Sequence, residues 1–214
     1  MKPLNSINEF VIRFANVNGT GSWSANLLFA KSIFRMGVPV SPKNIFPSNI
    51  QGLPTWYEVR VSEKGYLGTR GSGVDIMVSV NPQSMSKDIN DVVPGGYFLY
   101  DNTKKLHKKY IRDDINYIGI PLTEICNREY EDARLRQLFK NIIYVGALAA
   151  LVDVDFEVMK NLVADQFKGK EKLIPANHNA LDLGYNYAKE NFECPVGIKV
   201  KTTDKTNNKI LIDG

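Results

Sequence analysis

Apolar residues change their period along this chain, and the changes mark out elements. The run EFVIRFA, residues 9–15, is dense in strand formers. From Ser22 to Met36 the apolar positions Leu27, Leu28, Phe29, Ile33 and Phe34 follow a helical spacing that Gly37 closes. Together they predict a strand, a glycine turn and a helix. The next stretch, GVPVSPKNIFPSNIQGLP, carries Pro39, Pro42, Pro47 and Pro54, which rules out a regular helix. It reads as an extended loop ordered by packing rather than by backbone ladders. In TWYEVRVS, residues 55–62, Trp56, Glu58, Arg60 and Ser62 alternate with Tyr57, Val59 and Val61, as a strand with two chemically different faces should.

VDIMVSVN, residues 74–81, is a continuous apolar run that reads as a central strand ended by Pro82. A short helix from Met85 to Val92, a turn at Pro94-Gly95-Gly96 and strands at 97–101 and 116–122 continue the alternation. From Tyr130 to Phe192 the pattern is helical, broken at Asp153-Val154-Asp155 with Asp155 as a cap, and resuming after Pro175. The fold class is α/β: a mostly parallel, Rossmann-like sheet with helices on its faces, the last helices covering one face. Residues 1–195 form the main domain, and residues 196–214 read as a strand and linker. The stop at KILIDG fits a cut from a longer polypeptide as well as an ordinary short tail.

The composition narrows the chemistry. With 214 residues and 43% hydrophobic content the chain can build a continuous core. A net charge of +4 is too small and too scattered to point to nucleic acid. The basic run Lys104, Lys105, Lys108, Lys109 and Arg112 holds a single tyrosine, Tyr110, and ends in acids; it reads as a solvated face, with docking of an acidic partner as the alternative. Cys126 and Cys194 lie too far apart in sequence for a CxxC pair, and they cannot supply four thiolates for a cluster. Two unpaired cysteines and a first segment without the apolar run of a secretory signal suit the cytoplasm. The most apolar stretch, LFKNIIYVGALAALV, is shorter than the roughly 20 residues a membrane span needs and reads as a buried helix. Its Gly146, Ala147, Ala149 and Ala150 let another element approach closely, inside the domain or across a subunit contact.

The first turn, Gly19-Thr20-Gly21-Ser22-Trp23-Ser24, has serine where the dinucleotide fingerprint has its third glycine, and no acidic residue follows about 20 positions on. There is no Walker lysine. Backbone N–H groups at a helix start, with the hydroxyls of Thr20, Ser22 and Ser24, can hold an anion. A plain structural turn explains the same residues. His107 and His178 stand outside any metal-like cluster or nucleophile signature. The residues by themselves give no catalytic set.

FVIRFANVNGTGSWSANLLFAKSIFRMG, NIFPSNIQGLPTWYEVRVS, VDIMVSVNPQSM and VVPGGYFLYDN together resemble the gamma domain of 2-oxoacid:ferredoxin oxidoreductases. The similarity extends to the alpha subunit of 2-oxoglutarate-type enzymes, in which that domain precedes a thiamine-enzyme domain. It implies a part in oxidative decarboxylation of a 2-oxoacid within an enzyme complex, with no catalytic residue on this chain and no catalysis by it alone; acyl-CoA is the product and ferredoxin the electron acceptor. It also implies thiamine diphosphate, magnesium, an iron–sulfur cluster and coenzyme A in the whole complex, none held by this chain alone, and thiamine-binding alpha and beta partners. By the same similarity, Asn18, Gly19, Thr20, Gly21 and Ser22 of the turn, Pro47, Ser48 and Asn49 of the proline-rich loop, and Arg60 are the candidate contacts to ligand or a neighbouring domain. Gln51-Gly52-Leu53-Pro54 departs from the Gly-Gly or Arg-Gly-Gly run of many relatives. Two other functions stay open: a free-standing nucleotide or coenzyme A binding module, and a purely structural assembly subunit.

Overall fold

The computed structural model describes residues 3–16, 19–46, 54–68 and 70–211. In chain order it contains β1 (Ser6–Ile7), β2 (Glu9–Asn16), α1 (Ser22–Arg35), β3 (Val40–Ile45), β4 (Thr55–Ser62), β5 (Val74–Ser79), α2 (Met85–Asp91), β6 (Val92–Asp101), β7 (Asn116–Ile120), α3 (Leu122–Glu129), α4 (Ala133–Leu151), α5 (Phe156–Gln166), α6 (Ile174–Asn191) and β8 (Ile198–Lys199). Six strands form one sheet in the order β3-β4-β2-β5-β6-β7. The β2–β5, β5–β6 and β6–β7 pairs are parallel, and β4 runs antiparallel to both β2 and β3. The sheet is therefore mostly parallel, as the alternation of strands and helices implies.

Strand alternation sorts the side chains into two cores. Phe10, Ile12 and Phe14 of β2, Tyr57, Val59 and Val61 of β4, and Ile76 and Val78 of β5 face one side, where they meet Phe29 and Ile33 of α1 and Tyr144 and Leu148 of α4. Phe14 anchors this layer, with its ring centroid 5.8 Å from Phe29 and 5.9 Å from Tyr144. On the other side Val11, Val74, Met77 and Phe98 pack under Ile89 of α2 and Ile115. The long helices α4, α5 and α6 thus share the larger core with α1, as predicted.

Three local readings need correction. Val40–Ile45 is a strand in register with β4, not a ladder-free loop. Pro42 is compatible with it because β3 is an edge strand, where a missing N–H costs nothing on the outer side. Pro94-Gly95-Gly96 lies inside β6 as an irregularity: Val74 pairs with Val92 but Ile76 with Tyr97. A separate short helix, α3, fills residues 122–129, between the strand read as ending at 122 and the helical stretch read from Tyr130.

Among the described residues no helix is long and apolar enough to cross a membrane. The small residues of α4 serve the interior: α6 crosses there, and a Cβ on Gly146 would lie 2.2 Å from the Leu181 carbonyl oxygen. The segment after Pro195 folds back on the domain. β8 pairs with β1 in parallel, Thr203 N–H donates to Met36 O (2.9 Å), and the Thr206 hydroxyl donates to Phe34 O (2.7 Å).

Candidate functional site

β2 delivers the chain to a turn that two glycines make possible. Gly19 and Gly21 both sit at φ 78°, a left-handed conformation that costs a residue with a Cβ. Gly21 is the N-cap of α1 and provides no side-chain acceptor, so helix geometry leaves the N–H groups of Ser22, Trp23 and Ser24 without an intrahelical partner. No acidic residue occupies the first turn of α1. That end is therefore a positive pole open to an anion. The turn is also held in place. Asn141 of α4 donates from Nδ2 to Thr20 O at 2.8 Å, and Leu138 lies so close that a Cβ on Gly21 would come within 2.7 Å of its Cδ1. One turn further on, the fully buried Tyr144 hydroxyl donates to Asn26 Oδ1 at 2.7 Å, and burial raises its pKa so that it stays protonated.

Strand register shows what shares this edge of the sheet. Asn16 pairs with Thr55, Ala15 with Ser79 and Ile45 with Trp56. The ends of β2, β5 and β3 and the start of β4 thus meet at one edge. From β2 the chain crosses by α1 to the β3 side, whereas from β5 it crosses by α2, on the opposite face, to β6. The turn therefore sits at a topological switch point, the place where open α/β sheets bind ligands.

Of the residues singled out in the sequence, Gly19, Thr20, Gly21 and Ser22 lie together at this edge. Asn18, Pro47, Ser48 and Asn49 lie outside the described residues. Arg60 is elsewhere: it pairs in register with Val11 and Ser41, roughly 17 Å along β4 from Thr55 at about 3.4 Å per residue. Its Nη1 donates to Gly68 O at 3.0 Å.

Sequence reasoning missed a cluster of charges on the α2 side of the sheet. Arg13 of β2 donates from Nε and Nη2 to Glu58 Oε2 (3.0 and 2.6 Å) and from Nη1 to Asp91 Oδ2 (2.8 Å). Asp88 accepts from Trp56 Nε1, Ser79 Oγ and Ser84 Oγ, each at 2.7 Å, which binds α2 to β4 and β5. The signal was present: Arg13 interrupts an apolar strand, and Glu58 falls on the polar face of TWYEVRVS. Among the described residues no group of three or more His, Cys, Asp or Glu gathers as metal ligands. Burial raises the pKa of the Cys126 thiol to about 11. In the basic run Arg112 is not simply solvated, since it donates to Ile89 O and Val92 O and forks onto Asp114.

Comparison with known proteins agrees with this architecture. A family model described as pyruvate ferredoxin/flavodoxin oxidoreductase matches residues 11–187. Ketoisovalerate oxidoreductase subunit VorA of Methanothermobacter thermautotrophicus is 27% identical over 187 residues, covering 86% of this chain and 38% of that subunit. Subunit alpha of 2-oxoacid:ferredoxin oxidoreductase 2 from Aeropyrum pernix is 24% identical, covering 83% of this chain and 33% of its own length. The chain therefore spans about a third of the length of these relatives. In fold it is similar to the 2-oxoglutarate:ferredoxin oxidoreductase of Magnetococcus marinus (TM-score 0.78, 23% identity, 92% of this chain and 34% of that one). It is also similar to the keto/oxoacid ferredoxin oxidoreductase gamma subunit of Geobacter sulfurreducens (TM-score 0.68, 20% identity, 85% of this chain and 99% of that one). With four-fifths of its length under the family model, the chain belongs to the pyruvate ferredoxin/flavodoxin oxidoreductase family.

Proposed function

We propose that this chain is the gamma-type domain of a 2-oxoacid:ferredoxin oxidoreductase, working in the cytoplasm as part of a complex with thiamine-binding alpha and beta partners and ferredoxin. The observation that carries the reading is the extent of the family match, residues 11–187, on a fold shared with a whole gamma subunit. We assign residues 1–195 to that domain and residues 196–214, which begin by packing back on it through β8, to the passage towards a following one. Thiamine diphosphate, magnesium and the iron–sulfur cluster belong to the neighbours in this reading, where thiamine supplies the electron sink for decarboxylation.

This chain's own residues do two things. The domain covers the reaction site and excludes water, which would otherwise compete with acyl transfer. The turn Gly19–Ser22 offers backbone N–H groups and the positive end of α1 to a phosphate of coenzyme A, with Asn18 and the Pro47, Ser48 and Asn49 loop as further contacts. The residues present fit such a group: the turn carries no acid, and a Cβ on Gly19 would meet nothing within 4 Å. Arg60, a strand's length away, suits an interdomain contact rather than the same phosphate.

The substrate class is a 2-oxoacid. 2-Oxoglutarate is favoured by the fold neighbour from Magnetococcus marinus and by the relative named 2-oxoglutarate oxidoreductase subunit KorA of Mycobacterium tuberculosis. A branched 2-oxoacid is the second reading, favoured by the higher identity to the ketoisovalerate subunit.

Gly19→Asp tests the turn directly, because the left-handed region tolerates Asp and the new carboxylate repels phosphate. In the assembled complex it should raise the coenzyme A KM roughly fivefold with kcat retained, and Gly19→Asn should restore it. Equal coenzyme A kinetics in all three proteins would support a purely structural turn.

A further inference from the structure

On the α2 face of the sheet, Arg13, Glu58 and Lys43 form a cross-strand row: Arg13 pairs with Glu58 across β2 and β4, and Lys43 with Glu58 across β4 and β3. Side chains in such a row stand on one face, with neighbouring Cβ atoms about 5 Å apart. Glu58 is fully buried and gives only Oε2 to Arg13; its Oε1 has no hydrogen-bond partner. A buried carboxylate oxygen without a donor is costly, and native proteins rarely leave one so.

Above it lies a cavity of about 470 Å³, lined by Glu58, Trp56, Ile45, Phe46, Lys43 and Lys87, among others. The charges around it are arranged along one direction. Arg13 and Lys87 are balanced by Glu58 and Asp91, whereas Lys43 is exposed and makes no ion pair among the described residues. Lys87 stands with Nζ 5.1 Å from the centroid of the Trp56 ring. The floor therefore holds an acceptor without a donor, and the rim offers the Lys43 ammonium, with Lys87 already bound to Asp91, beside apolar walls.

This polarity selects an occupant. A lone cation would meet the ammonium groups of the rim, and a lone anion would leave Glu58 Oε1 without a donor. A zwitterion satisfies both ends. We propose that this cavity binds a free α-amino acid, its ammonium donating to Glu58 Oε1, its carboxylate on Lys43, and its side chain against Trp56 and Ile45. Because Oε1 is itself buried, binding requires a lining side chain to shift, and Lys43 and Phe46 are exposed lining residues. The site would distinguish an amino acid from the 2-oxoacid of the same skeleton, since a carbonyl cannot donate to a carboxylate. It does not rest on the oxidoreductase reading.

Isothermal titration of the purified chain with L-valine and L-glutamate, alongside 2-oxoisovalerate and 2-oxoglutarate, tests the proposal. At least one amino acid should bind, and its 2-oxoacid should bind roughly tenfold more weakly or not at all. Glu58→Gln should weaken amino acid binding by about tenfold. That variant also disturbs the buried Arg13 pair and can unfold the chain, so Lys43→Ala, which leaves the pair intact, is the second probe; it should weaken binding roughly two- to fivefold. No binding to the unaltered chain, the result expected if Lys43 swings onto Glu58 Oε1 itself, overturns the proposal. So does equal binding of amino acid and 2-oxoacid, or binding that a folded Lys43→Ala variant leaves unchanged.

Discussion

Asn141 reaches from the middle of α4 to the carbonyl of Thr20, 2.8 Å away, and ties the glycine turn to a helix on the far side of α1's first turn. The same amide donates to Gln137 O at 3.2 Å within its own helix. The contact spans more than a hundred residues of sequence and is partly buried, so tertiary structure helps to fix the turn that its glycines allow. Asn141→Ala removes the tie. Stability should fall by about 1–2 kcal/mol in urea denaturation. Hydrogen exchange should quicken at Ser22, Trp23 and Ser24 while the core of α4 keeps its protection.

Two glycines let α4 and α6 cross with their backbones in close contact. A Cβ on Gly184 would lie 1.8 Å from Ile143 O, and one on Gly146 would lie 2.2 Å from Leu181 O. Both obstacles are backbone, which cannot rotate away. Gly184→Ala should force the helices apart and cost about 3 kcal/mol. For a chain of this size that is a fall in Tm of roughly 6–12 °C by calorimetry. The turn at Gly19 and Gly21 should be affected only indirectly, through Asn141.

The buried Asp88 and the half-buried Asp101 should give opposite pH responses. Burial alone would raise the pKa of Asp101, but hydrogen bonds from Thr103 and Thr123 and the nearby Lys140 ammonium outweigh it and hold the carboxyl below its ordinary value. Its contribution to stability is thus present above the unfolded value, near pH 3.9, and is lost as pH falls through the lower folded one. Asp88 is raised, chiefly by burial, against the donors Ser79, Trp56 and Ser84. The folded state holds that proton more tightly than the unfolded chain, so its contribution is full below the unfolded value and is lost as pH rises through the folded one. Urea midpoints followed from about pH 3 to about pH 7 should show Asp101→Asn flattening the acid limb and Asp88→Asn flattening the loss on the rising side.

The strands that bury one face or two were legible in the sequence because period and β-branching survive in any context: residues 9–15, 55–62 and 74–79 stand where alternation and apolar runs place them. β3 was not, because Pro42 speaks against a strand locally, and only its edge position, a tertiary fact, removes the objection. Nor was the continuity of β6 through Pro94-Gly95-Gly96, since a strand that bulges and a turn between strands share the same residues. At the site, the glycine turn could be read from Gly19 and Gly21, whereas its switch-point position needed the strand order. The separation of Arg60 from that turn needed the register of β4. Glu58 was seen as part of a polar face, but its burial and its bond to Arg13 depend on β2 lying beside β4, a pairing of residues 45 positions apart.

The central claim is that this chain is a cover and scaffold for a 2-oxoacid:ferredoxin oxidoreductase and becomes useful only when joined to its cofactor-carrying neighbours. Viologen reduction dependent on a 2-oxoacid and coenzyme A, measured first with the purified chain and then with the thiamine-binding partner subunits added, tests it most directly. The account predicts no turnover by the chain alone and 2-oxoacid-dependent reduction once the partners are present. Turnover by the isolated chain, or a partner complex equally active without it, would contradict the account.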